Sequence, residues 1–352
     1  MRRENLLEDA LTRFRRAAQA LPDGVVILDS ENRIEWCNDT AAAQLGLDPR
    51  ADAGQAIANL LRAPAFIDYL AARDHSKSAP VNVLIGNAMF ALQLIPYGEA
   101  QKLLLSRDIT QAERVETMRR DFVANVSHEL RTPLTVLVGF LETVRELKLD
   151  PQRTRDYIGM MQEQASRMHR ITEDLLTLSV LESAPLPAAE HVRVKPMLER
   201  LHADAEALSA GRHRISLRAW PTVDLLGSET ELASAFGNLV TNAIRYTPEG
   251  GEIRIVWRDE PDGSSFTVED TGIGIAPEHL PRLTERFYRV DRSRSRETGG
   301  TGLGLAIVKH TSARHQATLD VESQQGKGSR FTIRFPGKRT VPVEPAVAPE
   351  AR

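Results

Sequence analysis

Apolar and polar positions change their period several times along this chain, and each change marks a candidate element. Residues 4 to 21 place Leu7, Leu11, Phe14, Ala18 and Leu21 on one side of a helix, which Pro22-Asp23-Gly24 ends. The pattern then turns strand-like: VVIL at 25–28 and RIEWC at 33–37 flank the turn DSEN, and a short helical segment starts after Asn38. Further strands are predicted at 81–85, 89–95 and 101–105, ending in RDIT at 107–110. Helical period returns from Val115 to Leu147 and again from Asp156 to Leu181, the two runs separated by Asp150-Pro151. The second run carries Tyr157, Met161, Gln164, Met168, Ile171, Leu175 and Leu178 at alternating steps of four and three, a coiled-coil-like seam. One hairpin cannot bury such a seam on all sides, so a homodimer forming a four-helix bundle is expected. A proline- and alanine-rich linker, SAPLPAAEH at 183–191, leads to a second globular segment from Val192 to Pro336. The final residues, GKRTVPVEPAVAPEAR, have no period and are expected to be a disordered tail.

This layout predicts a multidomain α+β protein: a linker helix at 1–20, a domain at 21–110, a helical hairpin at 113–184, a domain at 192–336 and a tail at 337–352. A chain of 352 residues is long enough for two or three cores. Net charge of −3 gives no footprint for direct nucleic-acid binding. The one cysteine, Cys37, excludes an internal disulfide and a cysteine zinc cluster, and it reads as a core or strand-edge thiol. His75, in the polar stretch DHSKS, reads as exposed. No apolar run approaches the ~20 residues that span a bilayer. The chain as it stands is expected to be cytoplasmic, or inner-membrane-anchored if spans precede Arg2 and Arg3.

The strongest chemical signal is FVANVSHELRTPL at 122–134. On a helix His128 and Thr132 share a face, Glu129 flanks them, and Phe122, Val126, Leu130 and Leu134 form an apolar row opposite. The imidazole is thus presented to solvent, and Pro133 is expected to kink the helix just below it. A neutral imidazole can attack phosphorus while an adjacent carboxylate takes its proton.

Four more motifs follow in a fixed order. In NLVTNAIRYTP, Asn238, Asn242 and Arg245 fall on one helical face, where amide oxygens can hold Mg²⁺ and a cation can neutralise phosphate, with Tyr246 as an aromatic surface. In EDTGIGI, Asp270 can accept from an exocyclic amine while Gly272 and Gly274 let the backbone turn tightly. In ERFYRVDRS, Phe287 and Tyr288 can pack a loop and leave Arg289 free to reach a phosphate. In GGTGLGLAIVKH, from Gly299, the stretch Gly300, Thr301, Gly302, Leu303, Gly304 can bring backbone N–H groups to phosphates, with a helix starting at about Leu305. A Walker loop would need GKS or GKT, which is missing.

Together these strings resemble the H, N, G1, F and G2 boxes of sensor histidine kinases, with a PAS domain ahead of a dimerisation hairpin and a Bergerat (GHKL) ATP-binding domain. The resemblance implies ATP and Mg²⁺ as cofactors, with the metal at Asn242 and Asn238, adenine at Asp270, and phosphates at Arg245, Arg289 and the 299–304 loop. His128 is implied as the phosphoryl acceptor, Glu129 as its base, and Thr132 as a hydroxyl for a second, phosphatase activity. The PAS cup is expected to contact protein and hold no ligand. RAPAFIDYL, the RDIT junction and FYRVD resemble the phosphate-regulon branch of the family, which implies an OmpR-type response regulator and the phosphate-transport machinery as partners. A GHKL ATPase would carry a water-activating Glu where Asn238 stands, and a degenerate scaffold would have lost some of these motifs. Both are therefore weaker readings, while a PAS histidine kinase for a different stimulus stays open, since other PAS kinases share most of these strings.

Overall fold

The computed structural model describes residues 16–72, 79–97, 100–147, 149–290 and 300–343. The expected helix before residue 16, His75, Gly299 and the end of the expected tail lie outside them. The chain divides into two compact units, Met1–Asp121 and Phe122–Arg352.

In the first unit, β1 (Gly24–Leu28) and β2 (Ile34–Cys37) precede α1 (Asp39–Leu45), α2 (Ile57–Leu60) and α3 (Pro64–Ala71); β3 (Val81–Ile85), β4 (Ala88–Tyr97) and β5 (Gln101–Asp108) follow. They form one antiparallel sheet in the order β2-β1-β5-β4-β3. All five expected strands are present, with β4 and β5 longer than their apolar runs. Leu28, Leu92, Leu94 and Leu104 face inward against Ile57 and Phe66 of the short helices. Cys37 is buried in this core, and burial pushes its thiol up from its ordinary pKa.

Asn38 joins these pieces. Fully buried, it accepts from Val25 N at 2.9 Å and Ala41 N at 2.8 Å, which caps α1. Its amide donates to the carbonyls of Ala18 and Asp23. One side chain thus satisfies the first strand, the first helix and the incoming chain.

The second unit takes up most of α4 (Thr110–Glu146) and all of α5 (Pro151–Ser183). Both exceed the predicted spans, because their starts are capped: Asp108 accepts from Thr110 N, and Asp150 from Gln152 N and Arg153 N. The helix runs on through Pro133. On α5, Ile171 and Leu178 of the expected seam are buried, whereas Tyr157, Met161, Gln164 and Met168 are only half-buried in the single chain. Val136, Val138, Leu141 and Leu176 are exposed apolar side chains on the same two helices.

Beyond β6 (Glu190–Val192) come α6 (Val194–Ser209), β7 (Arg214–Arg218), β8 (Val223–Gly227), α7 (Glu229–Tyr246), β9 (Glu252–Glu260) and β10 (Gly263–Asp270), then α8 (Gly304–Arg314), β11 (Thr318–Gln324) and β12 (Gly328–Pro336). The main sheet is mixed, in the order β11-β12-β10-β9-β7, with β7 parallel to β9. Leu232, Phe236, Leu239 and Val240 of α7 press onto Ile253, Ile255, Phe266 and Val268 of the sheet, and the rings of Phe236 and Phe266 stack at 3.8 Å. The expected α/β sandwich is present. The expected tail needs correcting at its start, since Gly337–Arg339 form a 3₁₀ turn and β13 (Thr340–Pro342) pairs with β8 in a small sheet, β13-β8-β6.

Asn38→Ala would leave the N–H groups of Val25 and Ala41 and the Asp23 carbonyl without this partner, while the Ala18 carbonyl keeps Leu21 N, so the first unit is expected to lose about 3 kcal/mol. Urea unfolding followed by the fluorescence of Trp36, in β2 of this unit, against a Trp36-free control would measure it. A loss below about 1 kcal/mol would show that the neighbouring backbone satisfies itself.

Candidate active site

His128 is exposed on α4. Thr132, one turn on and also exposed, donates its hydroxyl to the His128 carbonyl at 3.2 Å. Glu129 is half-buried and accepts from Arg167 of α5 at 3.1 Å. Phe122, Val126 and Leu130 of the expected apolar row are half-buried, but Leu134 is 49% exposed.

The other four motifs gather at one end of α7 and α8. Asn238 donates to Ser234 O within its own helix, and its Oδ1 faces Gly304, where a Cβ would come within 2.5 Å. Asn242 is half-buried one turn on. Arg245 lies against Gly300, whose Cβ would fall 3.2 Å from Nη1, and burial pulls its guanidinium below the ordinary value. Tyr246 is 37% exposed. Asp270 ends β10; its Oδ1 accepts from Gly272 N at 2.8 Å and Ser329 N at 3.3 Å, and burial raises its pKa. A side chain at Gly272 would strike Tyr246 O at 2.4 Å, so this bend requires glycine. Gly274 turns at φ +63°. Gly302, at φ +74°, lies where a Cβ would meet Phe287 Cα at 2.8 Å, and its carbonyl accepts from Phe287 N. Leu303, fully buried, leads into α8. Among the described residues no cluster of three His, Cys, Asp or Glu could hold a metal. The amide oxygens of Asn238 and Asn242 are hard donors, of a kind that suits Mg²⁺.

Arg289 departs from expectation. It is not free: its side chain is 7% exposed and its Nη1 lies 3.8 Å from Glu129. Burial outweighs that carboxylate and lowers its pKa. Its Nε and Nη2, and the Nε of Arg167, are buried with no hydrogen-bond partner among the described residues. Phe287 explains the placement, since its ring sits 6.0 Å from that of Phe122 and it packs against the cluster of Leu178, Leu181, Leu303, Ala306 and Ile307. Tyr288 instead points to His279, at 2.8 Å, with Arg282 over its ring.

Several residues of this arrangement were not singled out from sequence. Asp174 of α5 accepts from Thr301 Oγ1 at 2.6 Å. Glu182 pairs with Arg286 and lies 3.5 Å from His310. Arg314 forks onto Glu231 with two bonds of 3.0 Å, and donates to the carbonyls of Leu181, Ala184 and Pro185. A signal for two of them existed: Arg167 and Asp174 are seven apart, a charged stripe beside the apolar seam.

Residues 227–339 match the model of the histidine kinase-, DNA gyrase B- and HSP90-like ATPases, residues 118–184 the His Kinase A (phospho-acceptor) domain, and residues 12–79 a PAS domain. The chain is 49% identical over 333 residues to the phosphate regulon sensor protein PhoR of Pseudomonas aeruginosa, covering 94% of this chain and 75% of that protein. To its namesake in Haemophilus influenzae it is 34% identical over 327 residues, covering 93% and 76%. The solved complex of histidine kinase ThkA with response regulator protein TrrA matches with a TM-score of 0.51 at 19% identity, over 89% of this chain and 95% of that one, a likeness of fold. Among the described residues no helix is long and apolar enough to cross a membrane.

Arg314→Ala would strand Glu231 in a buried place and uncap the end of α5, so the second unit is expected to lose about 3–5 kcal/mol. Guanidinium unfolding of the full chain, read at Trp257 in the sheet core, tests this. A loss under about 1 kcal/mol would mean that water reaches the pair.

Proposed function

The chain belongs to the sensor histidine kinases of two-component systems, and from that premise we propose that His128 is the residue this protein-histidine kinase phosphorylates from ATP. One observation carries the assignment. Arg289, from the motif resembling a nucleotide lid, reaches the carboxylate directly beside His128. A domain of the ATP-binding family thereby touches the acceptor's neighbour within one compact unit.

In the proposed reaction an imidazole nitrogen of His128 attacks the γ-phosphorus of ATP. The new N–P bond forms as the bond to the β,γ-bridging oxygen breaks, and ADP leaves. Glu129 takes the proton from the ring's other nitrogen. Arg289 leaves Glu129 for the transferring phosphoryl group, which stabilises that group's charge and removes one cation from beside the carboxylate. Arg167 remains to hold Glu129 in place. Asn242 and Asn238 would hold Mg²⁺, which neutralises phosphate charge when bound. Asp270 would accept from the adenine amine, and Arg245 and the loop Gly300–Gly304 would cradle phosphates.

The phosphoryl group then passes to an aspartate of an OmpR-type response regulator. The exposed apolar side chains of α4 and α5 are assigned to a second copy of this chain, completing a four-helix bundle. Likeness to the two phosphate regulon sensor proteins supports phosphate-starvation signalling. In this reading the PAS domain is the contact surface for the phosphate-transport machinery. Thr132 is exposed and its hydroxyl hydrogen serves the His128 carbonyl, so the oxygen remains an acceptor for a hydrolytic water.

Incubation with γ-labelled ATP and Mg²⁺ should give acid-labile, base-stable label on the parent chain and none on His128→Gln. Glu129→Gln, which keeps the nucleophile, should slow labelling by about a hundredfold. Label on both the parent and His128→Gln would remove His128 from its role. For the second activity, Thr132→Ala is expected to strip phosphate from the phospho-regulator at least about tenfold more slowly, with autophosphorylation retained. An unchanged rate would leave Thr132 as a helix residue only.

A further inference from the structure

Outside the groups assigned to the reaction, one contact puts a carboxylate where the reaction needs a phosphate. Asp174 lies on α5, and its Oδ2 accepts the hydroxyl proton of Thr301 at 2.6 Å. Thr301 is buried in the glycine-rich loop, and its oxygen also accepts from Leu303 N, the residue before α8 begins. Arg245 is close enough for its charge to act on Asp174, and Arg170 adds a second positive charge. Arg245 also lies against Gly300 of the same loop. The carboxylate therefore takes the hydroxyl of a loop that a guanidinium lines and from which a helix starts, donors of the kind that otherwise bind a phosphate.

The carboxylate is poorly paid for this position. Thr301 is its one hydrogen-bond donor among the described residues, and desolvation raises its pKa despite two nearby arginines. A contact of this kind holds only while no better anion competes for the same donors. A triphosphate carries more charge and more acceptor oxygens than one carboxylate.

We propose that Asp174 is an internal competitor of the ATP phosphates: docked on Thr301 beside Arg245, it withholds the glycine-rich loop from nucleotide, so that ATP binding and release of Asp174 from Thr301 are one event. The inference rests on the assignment of Arg245 and the Gly300–Gly304 loop to phosphate. Apparent affinity is then the intrinsic affinity reduced by the fraction of molecules with the loop undocked.

The test is isothermal titration of Mg·ATP into the full chain carrying His128→Gln, so that no phosphoryl transfer follows binding. Asp174→Ala in that background should bind ATP about tenfold more tightly. Asp174→Asn, which keeps the size and an acceptor but loses the charge, should fall between the two. Arg245→Gln serves as the separate check on the phosphate assignment and should weaken binding with Asp174 present or replaced. Unchanged or weaker binding in Asp174→Ala, with Arg245→Gln still weakening it, would overturn the competitor and leave the phosphate site standing. Arg245→Gln without effect would overturn the phosphate site and the competitor with it. Circular dichroism at 222 nm of each variant guards against reading a misfolded helix as a change in affinity.

Discussion

The last carbonyl groups of a long helix have no partners within it, and the last turn of α5 sets buried Leu181 against a core while Glu182 and Ser183 stay exposed. Arg314 resolves this by donating to Leu181, Ala184 and Pro185 while Glu231 of α7 neutralises it. The pair is nearly dry, with side-chain exposures of 10% and 15%, so neither charge is tolerable alone. Because Arg314 is the last residue of α8, the same contact fixes the helix that begins at the glycine-rich loop. Leu178 and Leu181 then pack with Leu303, Ala306 and Ile307, and the end of the phosphotransfer hairpin shares a core with the nucleotide domain.

With that end fixed, a row of acids on the hairpin meets basic and polar groups of the nucleotide domain. Glu182 meets Arg286, Asp174 meets Thr301, and Glu129 meets Arg289. The row is unevenly satisfied. Glu129 has Arg167 as a close partner, whereas two buried donors of Arg289 have no partner among the described residues. Orphaned guanidinium donors cost free energy in the state that leaves them unpaired, and in the proposed reaction the phosphoryl group would be the anion that takes them up. The arrangement is thus stable at its anchored end and unsatisfied at its catalytic end, which is the distribution a moving part requires.

The site residues lie in short contiguous strings, so their local chemistry was legible: glycines where backbone approaches, amides one turn apart, a carboxylate at a strand end. Gly302 and Gly272 illustrate it, because a Cβ at either position collides with a neighbour in the folded chain. What the strings could not convey was pairing over distance. Arg289 read as free because its partner, Glu129, lies 160 positions earlier on another helix. β13 was hidden for a similar reason: Thr340-Val341-Pro342 has no period of its own and becomes a strand only because β8 offers an edge. The helix ends were misjudged by a few residues where capping by Asp108 and Asp150, not apolar period, decided them.

The position of the base bears on why this domain would transfer phosphate rather than hydrolyse ATP. Asn238 donates from its amide to Ser234 O and faces Gly304 with its oxygen. An amide so held can coordinate a cation but cannot take a proton from water. The carboxylate proposed for that task, Glu129, belongs instead to the helix that carries His128. Base and nucleophile therefore travel together. Nucleotide bound away from α4 meets neither, so the proton acceptor reaches the γ-phosphate only in the company of the histidine it serves. Withholding the base from the nucleotide domain would make the transfer conditional on docking, and Arg289 would add its charge to that of Arg167 beside the carboxylate until it has a phosphoryl group to bind.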